Sequence, residues 1–293
     1  VAIIGAGVVG TALGVALSRC GYTISGVADI RAGAAQKAAD RMGGVAHSTD
    51  GVKISMGANL ILITTPDDAI AQTCGAIAAG GGFGVGDLVL HCSGGLSSEV
   101  LASAKKIGAA VASMHPIGVF ADVETAGAQL SNLTYGLEGD AKALEEAEAI
   151  VRALGGRPIR VPKDRKVLIH IAACLTANYA VTLVDTAARL LRHLRMEREE
   201  AVRVLLPLFE GAISALQGEG LPQALTGPIA RGDVATVERH VKAIRSDKEL
   251  TRIYALLGLR TVPVAVEKGG LDKKSAQRLR DILKGCLEAG LSA

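Results

Sequence analysis

Tryptophan is absent from the 293 residues, and four tyrosines and three phenylalanines make up the whole aromatic content. So few rings leave little to stack on bases, and the basic residues are spread along a chain whose net charge is only +3. Nucleic acid is therefore not an expected partner. Cysteine is sparse and unpatterned: Cys20, Cys74, Cys92, Cys174 and Cys286 are odd in number and lack metal-ligand spacing, so no metal site is expected. They read as buried or free thiols in a reducing compartment. No signal-peptide pattern precedes the first apolar segment, and the expected location is the cytoplasm. No apolar run reads as long and clean enough to span a bilayer, so no membrane association is expected.

What is present is a chain 49% hydrophobic and rich in Ala, Gly, Val and Leu, long enough for two ordinary domains. Its first ten residues, Val-Ala-Ile-Ile-Gly-Ala-Gly-Val-Val-Gly, end an apolar run in Gly5-x-Gly7-x-x-Gly10, and a small-residue helix pattern follows at once. In a strand–turn–helix setting each glycine has a separate task. Gly5 makes the turn, Gly7 admits a pyrophosphate against the backbone, and Gly10 lets helix and strand pack closely. The N–H groups at the helix start favour the phosphates. Gly5, Ala6, Gly7, Val8, Val9 and Gly10 are thus the expected cofactor-binding turn. A second strand, Tyr22 to Ala28, ends in Asp29, at a spacing suited to the adenosine ribose. Asp29 favours NAD, whereas Arg31 two residues on could clamp the 2′-phosphate of NADP, and both cofactors stay open.

Strand and helix patterns then alternate. A helix is expected over Ala32 to Met42, a strand near Val45, a helix near Asp50 to Met56, and a buried strand over Asn59 to Thr64. Helix and strand continue with a strand Asp87 to His91, a helix Ser97 to Lys105 capped by Ser97 or Ser98, and a strand Ala109 to Met114. Late strands at Leu133 to Leu137 and Arg157 to Val161 flank a helix from Asp140 to Leu154. This alternation predicts an α/β, Rossmann-type doubly wound parallel sheet over residues 1–161. In such a sheet the ligand crevice lies at the carboxyl ends of the strands. Thr65, Pro66, His91 and Ser93 fall there with the glycine turn and Asp29, and join the expected cofactor contacts. His115 falls there too.

From Pro162 the texture is helical, and residues 162–293 are expected to form an all-α domain for substrate binding and dimerisation. Helices are expected over Lys163 to Leu194, Glu197 to Gln217, Asp233 to Ser246, Asp247 to Leu257 and Asp272 to Ala289. The first of these is apolar on most sides and must be covered, so a homodimer is expected. Between the helices, the connector Gly218 to Gly232 brings a hydroxyl, Thr226, and a guanidinium, Arg231. Both are candidate contacts to a small substrate, and Asp233 reads as an N-cap.

Several blocks together, namely Gly5–Gly10, His91-Cys92-Ser93-Gly94, Ser113-Met114-His115-Pro116, Glu138-Gly139-Asp140 and Ala224–Asp233, resemble a bacterial family of inferred NAD(P)-dependent oxidoreductases. That family joins a Rossmann-like domain to a helical C-terminal domain of unknown function, within the 6-phosphogluconate dehydrogenase-like superfamily. The resemblance implies hydride transfer with NAD or NADP and dimerisation through the helices, and it names no substrate. β-Hydroxyacid dehydrogenases of the superfamily carry a catalytic Lys four residues before an Asn. Here Asn178 is preceded at that spacing by Cys174, with His170 a further four residues back.

Transfer of a hydride to or from a carbonyl or imine needs a proton donor or acceptor beside the reacting carbon, and histidine suits that task. His170 and His115 are the candidate catalytic histidines, with Asn178 to orient the substrate. The expected function is transfer of a hydride to or from a small anionic hydroxy, keto or imino substrate. Two alternatives stand beside it. His115-Pro116-Ile117-Gly118 resembles the His-Pro segment of prephenate dehydrogenases, and the missing superfamily Lys suits a non-catalytic NAD(P)-binding sensor or assembly protein.

Overall fold

The computed structural model describes residues 1–288, and the chain forms two compact units, one of Val1–Tyr179 and a second that starts at Ala180. The first unit is built on eight strands: β1 (Ala2–Ile4), β2 (Gly26–Ala28), β3 (Ala46–Ser48), β4 (Leu60–Ile63), β5 (Leu88–His91), β6 (Ala110–Ile117), β7 (Thr134–Gly139) and β8 (Arg157–Arg160). They form one sheet in the order β3-β2-β1-β4-β5-β6-β7-β8. Between them run α1 (Val8–Arg19), α2 (Ala32–Arg41), α3 (Gly51–Ser55), α4 (Asp67–Ala79), α5 (Ala102–Ile107), α6 (Val123–Gln129) and α7 (Ala141–Ala153). The central strands β1 and β4 are apolar at every position because both faces are covered. Along β4, Leu60 and Leu62 enter one core cluster while Ile61 and Ile63 enter the other, as the two-residue period of a strand requires. The chain reverses direction of growth between β1 and β4, and this switch point opens the crevice at the strands' carboxyl ends.

The sheet departs from the all-parallel expectation at one place. β7 pairs antiparallel with β6, from Ala112↔Gly139 to Ile117↔Thr134. The connection through α6 brings the chain back to the end it left, so no crossover is made and the next strand must run the other way. The same pairing makes β6 longer than expected. It runs to Ile117, so His115 and Pro116 lie within the strand, and His115 stands opposite Gly136. The helix expected from Ser97 starts instead as a 3-10 turn, Ser98–Leu101, with no side-chain cap from Ser97. Ser98 is occupied elsewhere, since its N–H and Oγ donate to Glu138 at 2.7 and 2.8 Å.

After β8, a 3-10 turn leads into α8 (Lys166–Ala173), a π-helical turn (Cys174–Asn178) and α9 (Tyr179–Leu191). In the second unit α10 (Arg198–Glu219), α11 (Val234–Ile244), α12 (Lys248–Lys268) and α13 (Lys273–Glu288) follow, and no strand occurs among the described residues. The expected end of the last helix at Ala289 lies outside the described residues. α11 to α13 share a core of Val237, Ala255, Val262, Leu279 and Leu283. α12 runs well past the expected Leu257. Gly258, which reads as a helix stop, is a packing position, where a Cβ would stand 3.0 Å from Leu283. As expected, Asp233 caps α11, its carboxylate accepting from the N–H of Thr236 at 3.0 Å.

One expectation about long apolar runs is overturned. The helical run Lys163–Leu194, of 32 residues, and α10, of 22, are each long and apolar enough to cross a membrane by length and composition. In the first of them the charges lie toward the ends, and residues 167–184 hold no Asp, Glu, Lys or Arg.

Candidate active site

The glycine turn between β1 and α1 is built by contacts the sequence anticipates. Gly5 has φ +111°, and a Cβ there would lie 2.7–2.8 Å from the backbone of Thr64 and Thr65. A Cβ on Gly10 would lie 2.1 Å from the Gly5 carbonyl oxygen, so helix and turn touch through glycine alone. At Gly7 a Cβ would meet nothing within 4 Å. Gly7 is the N-cap of α1 and gives it no side-chain cap, so the first N–H groups of the helix face open space beside Val8 and Val9. At the end of β4, Thr65 Oγ1 is buried without a hydrogen-bond partner, and Pro66 starts α4. An open cradle, uncapped helix donors and an unsatisfied hydroxyl together fit a dinucleotide phosphate group.

Asp29 closes this turn from β2. One carboxylate oxygen accepts from Ala6 N–H at 2.9 Å, and the other accepts from the backbone N–H and Nε of Arg31 at 2.9 and 3.0 Å. Burial raises the carboxyl's proton affinity, but the bonds from Arg31 and Ala6 outweigh it and hold Asp29 below the usual carboxylate range. Asp29 and Arg31 therefore act as one paired unit and are not independent alternatives.

Further along the sheet, the turn after β5 brings two imidazoles together. His115 of β6 and His170 of α8 stand with ring centroids 5.9 Å apart in an edge-to-face arrangement. Gly94 is wedged between them: a Cβ there would fall 2.5 Å from His170 Nδ1 and 2.8 Å from His115 Nε2. Only glycine lets the turn approach both rings. The other nitrogen of His170 faces Cys174 Sγ at 3.8 Å. His170 is exposed and His115 half-buried. Burial chiefly, then the charge of Lys166 and the neighbouring His170, pushes His115 down to about 4, so it is a neutral imidazole at neutral pH.

His91 and Ser93 are bonded within their own loop. His91 is fully buried, with Nδ1 accepting from Ser93 N–H at 3.1 Å and Nε2 placed 3.2 Å from the Ser97 carbonyl. Both ring nitrogens are committed within their own loop, and burial pushes the ring down to about 4. Ser93 donates to Asp67 at 2.7 Å and accepts from Gly95 and Leu96 N–H. Through these bonds the two side chains shape the turn after β5.

One residue of this site escapes sequence reasoning. Lys166, at the start of α8, is only 3% exposed, and its Nζ donates to the Ser93 carbonyl. Burial pushes its ammonium down to about 8, against the pull of Glu138 and Asp67. The one signal in the sequence is its place directly before Val167-Leu168-Ile169, where a first-turn lysine ordinarily reads as solvated. Asn178 is exposed at the end of the π-helical turn, a geometry that concentrates at functional sites. Thr226 and Arg231 are exposed on the connector of the second unit. Lys268 holds that connector, its Nζ donating to the Gln223 and Leu225 carbonyls at 2.7 and 2.8 Å.

A doubly wound sheet with this glycine turn, followed by a helical unit, defines a Rossmann-like dinucleotide-binding architecture. Residues 1–116 match the Rossmann-like domain family, and residues 133–261 match DUF2520, a domain of unknown function. Among curated proteins none matches it in sequence. Solved structures do match. A protein from Thermotoga maritima is 24% identical, with 91% of this chain and 98% of that one covered and a TM-score of 0.73. A Bacteroides fragilis protein provisionally assigned as an NADP oxidoreductase is 22% identical, with 89% and 97% covered and a TM-score of 0.70. Prephenate dehydrogenase from Aquifex aeolicus is 16% identical, with 74% and 90% covered and a TM-score of 0.52. At these identities the likeness is one of fold.

Proposed function

We propose that the chain is an NAD(P)-dependent oxidoreductase that transfers a hydride to or from a small anionic hydroxy, keto or imino compound. The observation that carries this reading is the His115–His170 pair closed around Gly94, on the sheet whose carboxyl edge also holds the Gly5–Gly10 turn. The backbone around Gly7, with Thr65, Asp29 and Arg31, would hold the dinucleotide, which supplies the hydride donor or acceptor when bound. The remaining work is that of the chain's own side chains. His170, open to solvent, takes or gives the proton at the reacting oxygen or nitrogen. His115, neutral and half-buried, hydrogen-bonds that atom, and Asn178 orients the substrate. The segment His115-Pro116-Ile117-Gly118 and the fold shared with the Aquifex enzyme favour, as a second reading, a prephenate-like substrate. The test is turnover of purified protein with NADH or NADPH against a panel of 2-keto acids and cyclic imines, and with NAD or NADP against prephenate. Tight cofactor binding with no turnover on any of them favours a sensor instead.

The preference between the cofactors turns on Asp29. Its carboxylate suits the ribose 2′-OH and repels a 2′-phosphate, while Arg31 beside it would welcome one. Asp29→Ala removes the repulsion and frees Arg31, so the ratio of NAD to NADP affinity is expected to fall. An unchanged ratio by calorimetry places the discrimination elsewhere.

The working form is a homodimer. Of the 22 residues of α10 only Ala201 is buried, and Val181, Leu194 and Leu208 are 72%, 70% and 71% exposed. Apolar helices of this length do not stand in water uncovered, and a second copy offers the same surface in return. Light scattering at micromolar concentration is expected to give twice the chain mass, and a monomer there refutes the proposal.

A further inference from the structure

Lys166 is a buried charge near the histidine pair to which the reading above gives no task. Its ammonium is buried and donates to a neutral acceptor, the Ser93 carbonyl. Among the described residues no carboxylate forms an ion pair with it. The groups that face it come from five elements: Asp67 on α4, His91 and Cys92 at the end of β5, His115 on β6, Glu138 on β7 and, on its own helix, His170. Both nearby carboxylates are engaged by other donors. Asp67 accepts from the Ser93 hydroxyl, and Glu138 takes the N–H and hydroxyl of Ser98. A buried cation bonded to a neutral carbonyl keeps a field that falls on His115, where it outweighs the opposing pull of Asp67.

We propose that Lys166 is a positioning residue of this site: anchored on the Ser93 carbonyl next to Gly94, it places a buried positive charge at the histidine pair and keeps His115 neutral. The inference rests on the reading of His170 as the acid–base group and His115 as its hydrogen-bonding neighbour. It accounts for three features together. The Ser93 carbonyl is held so that Gly94 fits between the rings. A proton added to His115 would meet a like charge in a buried setting, so His115 stays a hydrogen-bonding group. Lys166 and His115 both lie below their ordinary values, burial being the first cause for each and the Lys166 charge adding to it at His115.

The sign follows from these directions. Between about pH 4 and pH 8 Lys166 is charged and His115 neutral; above about pH 8 the ammonium loses its proton while His115 stays neutral, so the effect of the charge is read as the low position of the His115 midpoint. In Lys166→Met the charge is absent at every pH, and an apolar side chain of similar length fills the space at the cost of the bond to the Ser93 carbonyl. The experiment is an NMR titration of the histidine ring protons in the intact chain and in Lys166→Met and Lys166→Arg. The midpoint of His115 is expected to rise by about one pH unit or more in the Met variant and to stay low in the Arg variant, which restores the charge. A His115 midpoint that does not move in the folded Met variant overturns the proposal. Should the Met variant not fold, direct titration of the Lys166 Nζ in the intact chain decides. A midpoint near 8 accompanied by a step in the His115 shift supports the proposal, and a midpoint near 10.5 overturns it. None of these readings needs turnover. A chain with shifted histidines and no oxidoreductase activity keeps this inference and loses the function proposed above, and the converse result separates the two equally well.

Discussion

His170→Ala is expected to lower turnover by about 10²–10⁴, the usual loss when a general acid or base is removed, and His115→Ala by about 10²–10³, the loss of one hydrogen bond to the reacting atom, both with dinucleotide affinity unchanged. The two rings come from different elements, β6 and α8, and meet only at Gly94. The cradle at β1, α1 and Asp29 shares no hydrogen bond with either, so calorimetry with NAD(P) should not register their loss. His91→Ala is the control. That ring is bonded at both nitrogens to its own loop, and removing it leaves a buried N–H and a carbonyl without partners. The cost is in stability, about 1–3 kcal/mol for each unsatisfied group, and it appears as a lower melting temperature. Intact turnover in His170→Ala and His115→Ala, measured on a substrate found by the screen, removes both from the mechanism. The same measurement on Lys166→Met separates positioning from chemistry.

The parts of this structure legible in the sequence are those set by local pattern. Leu60 to Ile63 reads as a buried strand because both its faces are covered, so no polar alternation interrupts it. The glycine turn is legible because Gly5 and Gly10 each answer to a contact that forbids any Cβ. Helix starts at Asp50, Asp233 and Asp247 are legible because a carboxylate accepting from the second or third N–H is a local device. What local pattern cannot carry is pairing. Pro116 reads as the end of a strand, yet β5 stops pairing at Ser113, so Pro116 lies where only β7 flanks β6 and its missing N–H is tolerated. The reversal of β7 depends on where a connection lands, and composition is silent on that. Lys166 is hidden for the same reason. Its burial is set by a carbonyl 73 residues earlier in the chain, and nothing in its neighbours along the sequence requires it.

Gly7→Val is expected to weaken NAD(P) binding by a factor of about 100 or more, roughly 3 kcal/mol, while leaving the fold intact. The space above Gly7 is empty of protein atoms to 4 Å, so the valine side chain meets no neighbour in the apo fold. The residue's φ of −73° is open to any side chain. The valine methyls would instead occupy the approach to the uncapped N–H groups of α1, the place a pyrophosphate must take to reach those donors. Gly10→Ala makes the opposite case. Its Cβ would stand 2.1 Å from the Gly5 carbonyl oxygen and 2.3 Å from Thr64 Oγ1, and backbone on one side leaves little room to yield. Overpacking of this kind costs about 1–3 kcal/mol or more, and it would be seen as a lower melting temperature whether or not cofactor is added. The pair of variants separates the two tasks of one motif. A Gly7→Val protein with normal melting and undiminished affinity in calorimetry would show that the turn holds no pyrophosphate, and the dinucleotide reading would fall with it.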